Sequence, residues 1–376
     1  MTTRKIAFGT LIALLPVLAA ATLLERFAGR EAAERWIYAA PWFVAAWAIL
    51  ALSALAYILR VALYRRPVAF IFHLALLLIL AGALVTFLAA ERGSLHLRQG
   101  ETLHHYLPDD DGPPRPLPFR ARLLLFDVEY DPDTGLPADY HTFLQIDGET
   151  RHLSMNNPLS SRGYRLYQHD YDPDEMGVAL LVTRDAAGSL VTHLAYLLLL
   201  LSTLLLLPRR VSRRLLLLLA ALLAVAWLCI AFMPVSAPVL RSPFLAAHVS
   251  LIIVSYLLLL VIAVLSLVAL LVPRLLIILR HRVTALLYPA VFLLSAGIFT
   301  GAAWADLSWG RYWGWDAKET WALVALLLYA LPLHHRHLSF FRSPRRFHLF
   351  CLFALLAVLV TSLGVAYFLG GLHAYL

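Results

Sequence analysis

The chain has little charge, almost no cysteine and, in its one polar segment, no nucleophile, metal or phosphate motif. Charged residues make up only 14% of the 376, against 61% hydrophobic residues, which excludes an ordinary soluble globular protein. The 2 cysteines, Cys229 and Cys351, both fall in apolar runs far apart in sequence. That excludes a disulfide framework or a thiolate metal pair and leaves them as small core residues. Histidines 96, 104, 105, 141, 152 and 169 in the polar segment, and 281, 335, 337 and 348 beside basic loops, show no zinc-ligand spacing.

Repeated apolar runs near the length of a bilayer crossing define an all-α polytopic membrane protein. The spans are expected at about 6–24, 38–59, 68–90, 190–207, 215–233, 244–271, 284–304, 321–338 and 347–370, about nine crossings in all. Basic residues recur in alternate loops: Arg4 and Lys5; Arg60, Arg65 and Arg66; Arg209, Arg210, Arg213 and Arg214; Arg274, Arg280 and Arg282; Arg336, Arg342, Arg345 and Arg346. Short basic loops stay cytoplasmic, so segment 91–189, the stretch 304–321 and the C-terminus are expected outside. The net charge of +8 follows from this topology and needs no nucleic-acid partner. A cleaved signal peptide ending near Ala19-Ala20-Ala21 is the rival reading of the first span.

Residues 91–189 form the one stretch of soluble composition. Alternating runs at 120–130, 140–146, 164–167 and 178–182, between Pro- and Asp-rich turns, predict a small β-rich extracytoplasmic domain serving as scaffold or docking surface.

Between Trp304 and Trp321 lie five tryptophans, Trp304, Trp309, Trp313, Trp315 and Trp321, interleaved with Arg311, Asp316 and Lys318. The stretch is too polar to cross a bilayer and too aromatic for an ordinary connection. It suits a flat, hydrophobic, partly anionic ligand; the bland alternative is an interfacial aromatic belt.

Four histidines stand at two depths. His73 is about five residues inside the third span, and His334 lies 13 residues beyond Trp321, roughly 20 Å at 1.5 Å per residue. Both fall in the cytoplasmic third, where an ionisable residue is a functional hypothesis in need of a partner. His248 and His373 sit at the level of the Trp-rich stretch. Two pairs at matched depths suit axial coordination of haem iron, with Trp faces over the porphyrin and Arg311 or Lys318 on the propionates. Hydrogen bonding to a neighbouring helix is the other reading of each intramembrane histidine. With no Cys-x-x-Cys-His run in the chain, any haem held here is free of thioether links.

The run Trp309-Gly-Arg-Tyr-Trp-Gly-Trp-Asp316-Ala-Lys-Glu-Thr-Trp321 resembles the WWD signature of haem-handling proteins, in the form found in CcsA, or ResC. The first half, with His73-Leu-Ala-Leu-Leu-Leu-Ile-Leu-Ala-Gly-Ala-Leu, Asp131-Pro-Asp-Thr-Gly-Leu-Pro and Asn157-Pro-Leu-Ser-Ser-Arg-Gly-Tyr-Arg-Leu-Tyr-Gln168, resembles CcsB, or ResB. The chain is thus similar to a fused CcsB/CcsA, the System II cytochrome c synthase, with a shortened CcsB-like part. Residues 1–207 would form the CcsB-like part and 208–376 the CcsA-like part.

The resemblance implies that haem b is bound without covalent links at a transmembrane pair, His73 and His334. It then passes to an external pair, His248 and His373, beneath Trp309, Trp313, Trp315, Asp316 and Trp321. There it is joined to the thiols of an apocytochrome c Cys-x-x-Cys-His, with no residue of this chain acting as acid, base or nucleophile. The implied partners are haem, apocytochrome c, the lipid bilayer and thiol-reducing membrane proteins, in a bacterial cytoplasmic membrane. Two rivals remain: a haem exporter that supplies a separate lyase, and a b-type cytochrome carrying electrons across the bilayer.

Overall fold

Proline placement sets the helix starts. Four helices begin with proline in the first turn, where its missing N–H costs nothing: α3 (Pro41–Arg60), α4 (Pro67–Ala89), α7 (Pro243–Leu271) and α10 (Pro344–Leu359). Ser242 and Ser343 cap α7 and α10 by accepting from Leu245 N and Arg346 N. The remaining helices are α1 (Thr2–Ala28), the one-turn α2 (Arg30–Ala33), α5 (Ala186–Arg210), α6 (Arg213–Phe232), α8 (Leu276–Trp309) and α9 (Ala317–Leu333). A π turn, Glu34–Tyr38, follows α2, and α10 continues as a π-helix over Val360–Leu369. The computed structural model describes residues 2–110, 112–132, 135–232 and 242–369.

Among the described residues, 8 helices are long and apolar enough to cross a membrane. The expected span at 321–338 corresponds to α9, which has 17 residues and is therefore roughly 25 Å long. It starts four residues earlier than expected and ends at Leu333, because Pro332 sits in its last turn and the polar His334-His335-Arg336-His337 run folds as a turn. Helix α8 is the centre of the bundle, with 72% of its apolar window buried, whereas α6 is peripheral with 6%. Exposed leucines such as Leu52, Leu88 and Leu204 suit contact with hydrocarbon instead of water.

Segment 91–184 is an antiparallel sheet of eight strands in the order β5-β4-β3-β2-β1-β8-β7-β6. The strands are β1 (Glu91–Arg98), β2 (Thr102–Pro108), β3 (Arg115–Tyr130), β4 (Pro137–Ile146), β5 (Glu149–Leu153), β6 (Leu159–Ser161), β7 (Tyr164–Tyr171) and β8 (Gly177–Arg184). The alternating runs of the sequence became β3, β4, β7 and β8; β1, β2, β5 and β6 are too short or too mixed to stand out. Burial alternates along β1 and β3, so one face closes over Leu95, Leu97, Leu123, Leu144, Leu166 and Leu180, each 0–1% exposed. Each contributes about 2 kcal/mol of apolar burial. Gly93 permits the bend: a Cβ there would lie 2.2 Å from the Leu107 carbonyl oxygen, where β1 crosses β2. The sheet curls until its two ends communicate. Thr142 on β4 donates to Gln168 on β7 at 2.7 Å, and Arg162 bridges to the Pro118 carbonyl at 2.7 Å and to Asp147 at 2.6 Å.

Candidate functional site

The inner pair is built from helix ends. His73 lies in the second turn of α4, and His334 is the residue that closes α9. The fold brings the two imidazoles to a ring-centroid separation of 6.0 Å at 89°. His73 Nδ1 is 2.7 Å from the Ala69 carbonyl and His334 Nδ1 is 2.8 Å from that of Ala330, each four residues back on the same chain. A carbonyl only accepts, so both Nδ1 atoms carry the proton and both Nε2 atoms present a lone pair. Phe8 of α1 lies edge-on to His334 at 5.6 Å, and Phe72 links His73 to Phe292 of α8.

The outer level is built from contacts between elements. His248 in α7 donates from Nδ1 to the Gly297 carbonyl of α8 at 2.7 Å, again leaving the lone pair on Nε2. It fits because Gly297 and Gly301 stand one turn apart: a Cβ on Gly301 would lie 2.5 Å from His248 Nδ1. Small residues at this spacing let two helix backbones approach closely. His373 lies outside the described residues.

The Trp-rich stretch is mostly helical. Trp304 and Trp309 belong to the last turns of α8 and pack edge-on at 4.9 Å; Lys318 and Trp321 belong to α9; only 310–316 lies outside the helices. Gly310 turns the chain in the left-handed region at φ 68, and a Cβ there would lie 2.8 Å from the Tyr167 ring of β7. Asp316, 2% exposed, caps α9 in a capping box with Glu319: its carboxylate accepts from Lys318 N at 2.8 Å, while Glu319 accepts from Asp316 N and Gly314 N at 3.3 and 2.9 Å. Trp315 stacks on Tyr38 at 4.9 Å and 11°, against Phe43 and Trp47 of α3. Trp321 Nε1 donates to Thr22 of α1 at 3.0 Å. Asp316, Trp315 and Trp321 therefore hold the turn in shape. Trp313 Nε1 is buried with no partner among the described residues, a donor whose solitude costs about 1–3 kcal/mol.

Three half-buried arginines converge on this turn. Arg30 donates to the Gly314 carbonyl, and Arg311 lies over Gly314 at 3.4 Å from where a Cβ would stand. Burial pulls the Arg311 pKa below its ordinary value, Glu319 opposes this, and the charges of Arg30 and Arg92 add to it. A cation crowded by cations favours an anion beside it.

Several contacts here are absent from the sequence reading. Arg165 of β7 pairs with buried Asp306 of α8 at 3.0 Å, and Asn156 accepts from Trp304 Nε1 at 3.2 Å and from Ser308 at 2.9 Å. His193 of α5 lies 3.0 Å from Tyr312 Oη and 2.8 Å from the Ser189 carbonyl. The signal for His193 was available: it is a histidine near the start of the fourth expected span, as His248 is near the start of the sixth. For Asn156 and Asp306 no local pattern existed, since their partners lie 148 and 141 residues away.

A helical membrane protein with a curled antiparallel sheet seated on a Trp-rich helical hairpin, and with a histidine pair at the far end, is a class defined by this geometry. Residues 61–187 match the ResB-like family and residues 187–373 the family described as cytochrome C assembly protein. Among curated proteins, the chain is 41% identical over 151 residues to protein NrfI of Wolinella succinogenes, a match covering 37% of this chain and 16% of that protein. It is 46% identical over 83 residues to the cytochrome c biogenesis protein CcsA of a Synechococcus strain (22% and 27%), and 41% identical over 97 residues to CcsA of Porphyra purpurea (26% and 29%). The matches thus span less than a third of each relative's length. The chain belongs to the cytochrome c biogenesis proteins in which a ResB-like part is fused to a CcsA-like part.

Proposed function

We propose that this chain binds haem b as cargo between His73 and His334, passes it to His248 and His373 beneath the Trp-rich turn, and presents it there to an apocytochrome c. The observation that carries this reading is the inner pair. Two imidazoles ligating one iron from opposite faces, with metal–nitrogen bonds of about 2 Å, have centroids roughly 6 Å apart. The separation here is 6.0 Å, and both rings are tied through Nδ1 so that Nε2 faces away from its own helix carbonyl. Arg92 and Arg311 suit the propionates, while Arg30 is paired with Glu25 and Glu34 at 3.3 and 2.9 Å and holds the turn; the unsatisfied Trp313 N–H suits an acceptor beside them.

The attachment step is an addition. Each cysteine thiol of the apocytochrome adds across one vinyl group: the C–S bond forms, the S–H bond breaks, and the proton ends on the neighbouring carbon, with no net oxidation. The chain's part is to hold the vinyls and the peptide in register, which is positioning and not acid–base chemistry. The arginine-rich loops support an orientation with the β-sheet domain and Trp-rich turn outside a bacterial cytoplasmic membrane and α9 as a further crossing, the eighth of nine in chain order. Thiol-reducing membrane proteins would keep the apocytochrome cysteines available.

The test is co-expression with a Cys-x-x-Cys-His apocytochrome in a host stripped of its own maturation genes, followed by haem staining on a denaturing gel. Covalent haem on the cytochrome, lost in His248→Ala, supports the synthase. A haem spectrum from the purified protein with no covalent product would move the reading to a haem exporter that supplies a separate lyase.

A further inference from the structure

Beyond the inner pair, an unassigned histidine sits at the end of the bundle away from the β-sheet domain. The turn after α9 folds back on itself, His337 N donating to the His334 carbonyl at 2.8 Å and Leu338 N to the same oxygen at 3.2 Å. This hangs His337 just outside His334, and it is exposed where His334 is half-buried. Its Nδ1 shares a 2.7 Å hydrogen bond with Tyr57 Oη near the end of α3, and the two rings meet edge-on at 5.8 Å. In the tautomer that donates from Nδ1 to the phenol oxygen, Nε2 carries the lone pair, the same arrangement as at His73 and His334.

Tyr57 does not stop at His337. Its ring lies 6.2 Å from Phe8, Phe8 lies 5.6 Å from His334, and His334 lies 6.0 Å from His73. The rings make one continuous aromatic path from the surface to the buried pair, with an imidazole at its mouth. Arg4 and Arg336 stand close enough for their charges to act on His337. A flat aromatic iron chelate with carboxylates would find there a nitrogen ligand, apolar ring faces and cations together.

We propose that His337 is an entry ligand, the first and transient axial ligand of incoming haem, oriented by Tyr57 and handing the iron to His334 and His73. The proposal rests on the reading of the inner pair as a haem site. The handover is a ligand exchange: one iron–nitrogen bond breaks at His337 as another forms at His334, with no change in electron count. Tyr57 is a positioning residue; it acts through His337.

The experiment uses the full-length chain, reconstituted without haem, mixed rapidly with haem and followed by visible absorbance. His337→Gln keeps a polar side chain at an exposed position, and Tyr57→Phe removes only the hydroxyl. The expected result is that His337→Gln slows loading by about tenfold while the final spectrum and stoichiometry equal the parent's, and that Tyr57→Phe slows it by a smaller factor, as loss of a ligand-orienting partner does. Loading of His337→Gln within about twofold of the parent would overturn the proposal and leave the inner site standing, since haem would then enter by another path. A lowered final stoichiometry would also overturn it, because His337 would then belong to the resting site. If His73→Ala loads to the parent's final spectrum, the inner-site reading itself falls, and the entry ligand with it.

Discussion

The inner and outer levels of this molecule place imidazoles by opposite means. At the inner level each ring is anchored to its own chain: His73 to Ala69 and His334 to Ala330, through i−4 carbonyls that form with the helix itself. At the outer level the anchors run mainly between elements. His248 leans on Gly297 and Gly301 of another helix, and the Trp-rich turn, capped locally by Asp316 and Glu319, is braced by Arg30, by Tyr38 and Trp47, and by Asn156 and Arg165 of the sheet region. Each level also joins the two fused parts: His73 of the ResB-like part meets His334 of the CcsA-like part, and Asn156 and Arg165 of the first brace α8 of the second, which gives a physical reason for joining them in one chain.

The largest break in that comparison comes from the inner ligands. His73→Ala or His334→Ala should lower haem content at both levels by more than about tenfold, because losing a direct ligand exceeds the roughly 10–100-fold that losing an outer partner costs. Quantitative pyridine haemochrome measurement on purified protein reads this. His248→Ala should instead leave inner haem bound and abolish covalent product. Equal haem content and activity in all three variants and the parent would remove the two-level scheme.

Next in size are the two glycines of α8, which separate ring placement from helix packing. Gly301→Ala sets a methyl 2.5 Å from His248 Nδ1, so the imidazole must leave its groove. Such overpacking costs about 1–3 kcal/mol, and product yield should fall roughly tenfold or more while inner haem is kept. At Gly297 the methyl would meet the flexible end of Ile252 at 2.8 Å, so Gly297→Ala should be much the milder change. Equal yields from the two variants would mean that His248 does not work from this groove.

The difference between the levels also explains what the sequence could reveal. The nearness of His73 and His334 was readable because depth in a helical span follows from counting residues, and the strands at 120–130 and 178–182 because alternation is local. The end of α9 was misjudged by five residues: hydropathy averaged across Pro332 and the polar turn that follows it. Asp316 is a candidate ligand-binding residue in the Trp-rich run, and its carboxylate also caps the backbone of α9, a role visible in the sequence as Asp with Glu three residues on. Asn156, Arg165 and Asp306 were illegible as partners because their meaning arises only when the sheet domain meets α8 and the turn after it.

The capping role of Asp316 gives a smaller, sharper test. Asp316→Ala removes the acceptor for Lys318 N and should cost about 0.5–2 kcal/mol of local stability, fraying the first turn of α9 and loosening Trp315. Asp316→Asn keeps an acceptor and should recover most of the loss. Thermal unfolding and product yield should move in parallel across these two variants; a yield that collapses in Asp316→Asn while stability is normal would place Asp316 in the ligand-binding set.

The change at Asn156 is expected to move product yield only a few-fold, and it tests the docking of the two parts most directly. Its side-chain oxygen accepts from both Trp304 and Ser308 on α8, so Asn156→Ala removes two hydrogen bonds, each worth about 0.5–1.5 kcal/mol net. The helix itself keeps its backbone bonds, and the inner pair lies at the other end of α9, so the inner haem spectrum should be unchanged. Product yield should fall by a few-fold as Trp304 and the turn after it lose their brace. Asn156→Asp supplies an acceptor at the same place and should restore it. If Asn156→Ala instead lowered inner haem and product together, the levels would be coupled through α8 as one rigid unit, and the independence of the inner site would be lost.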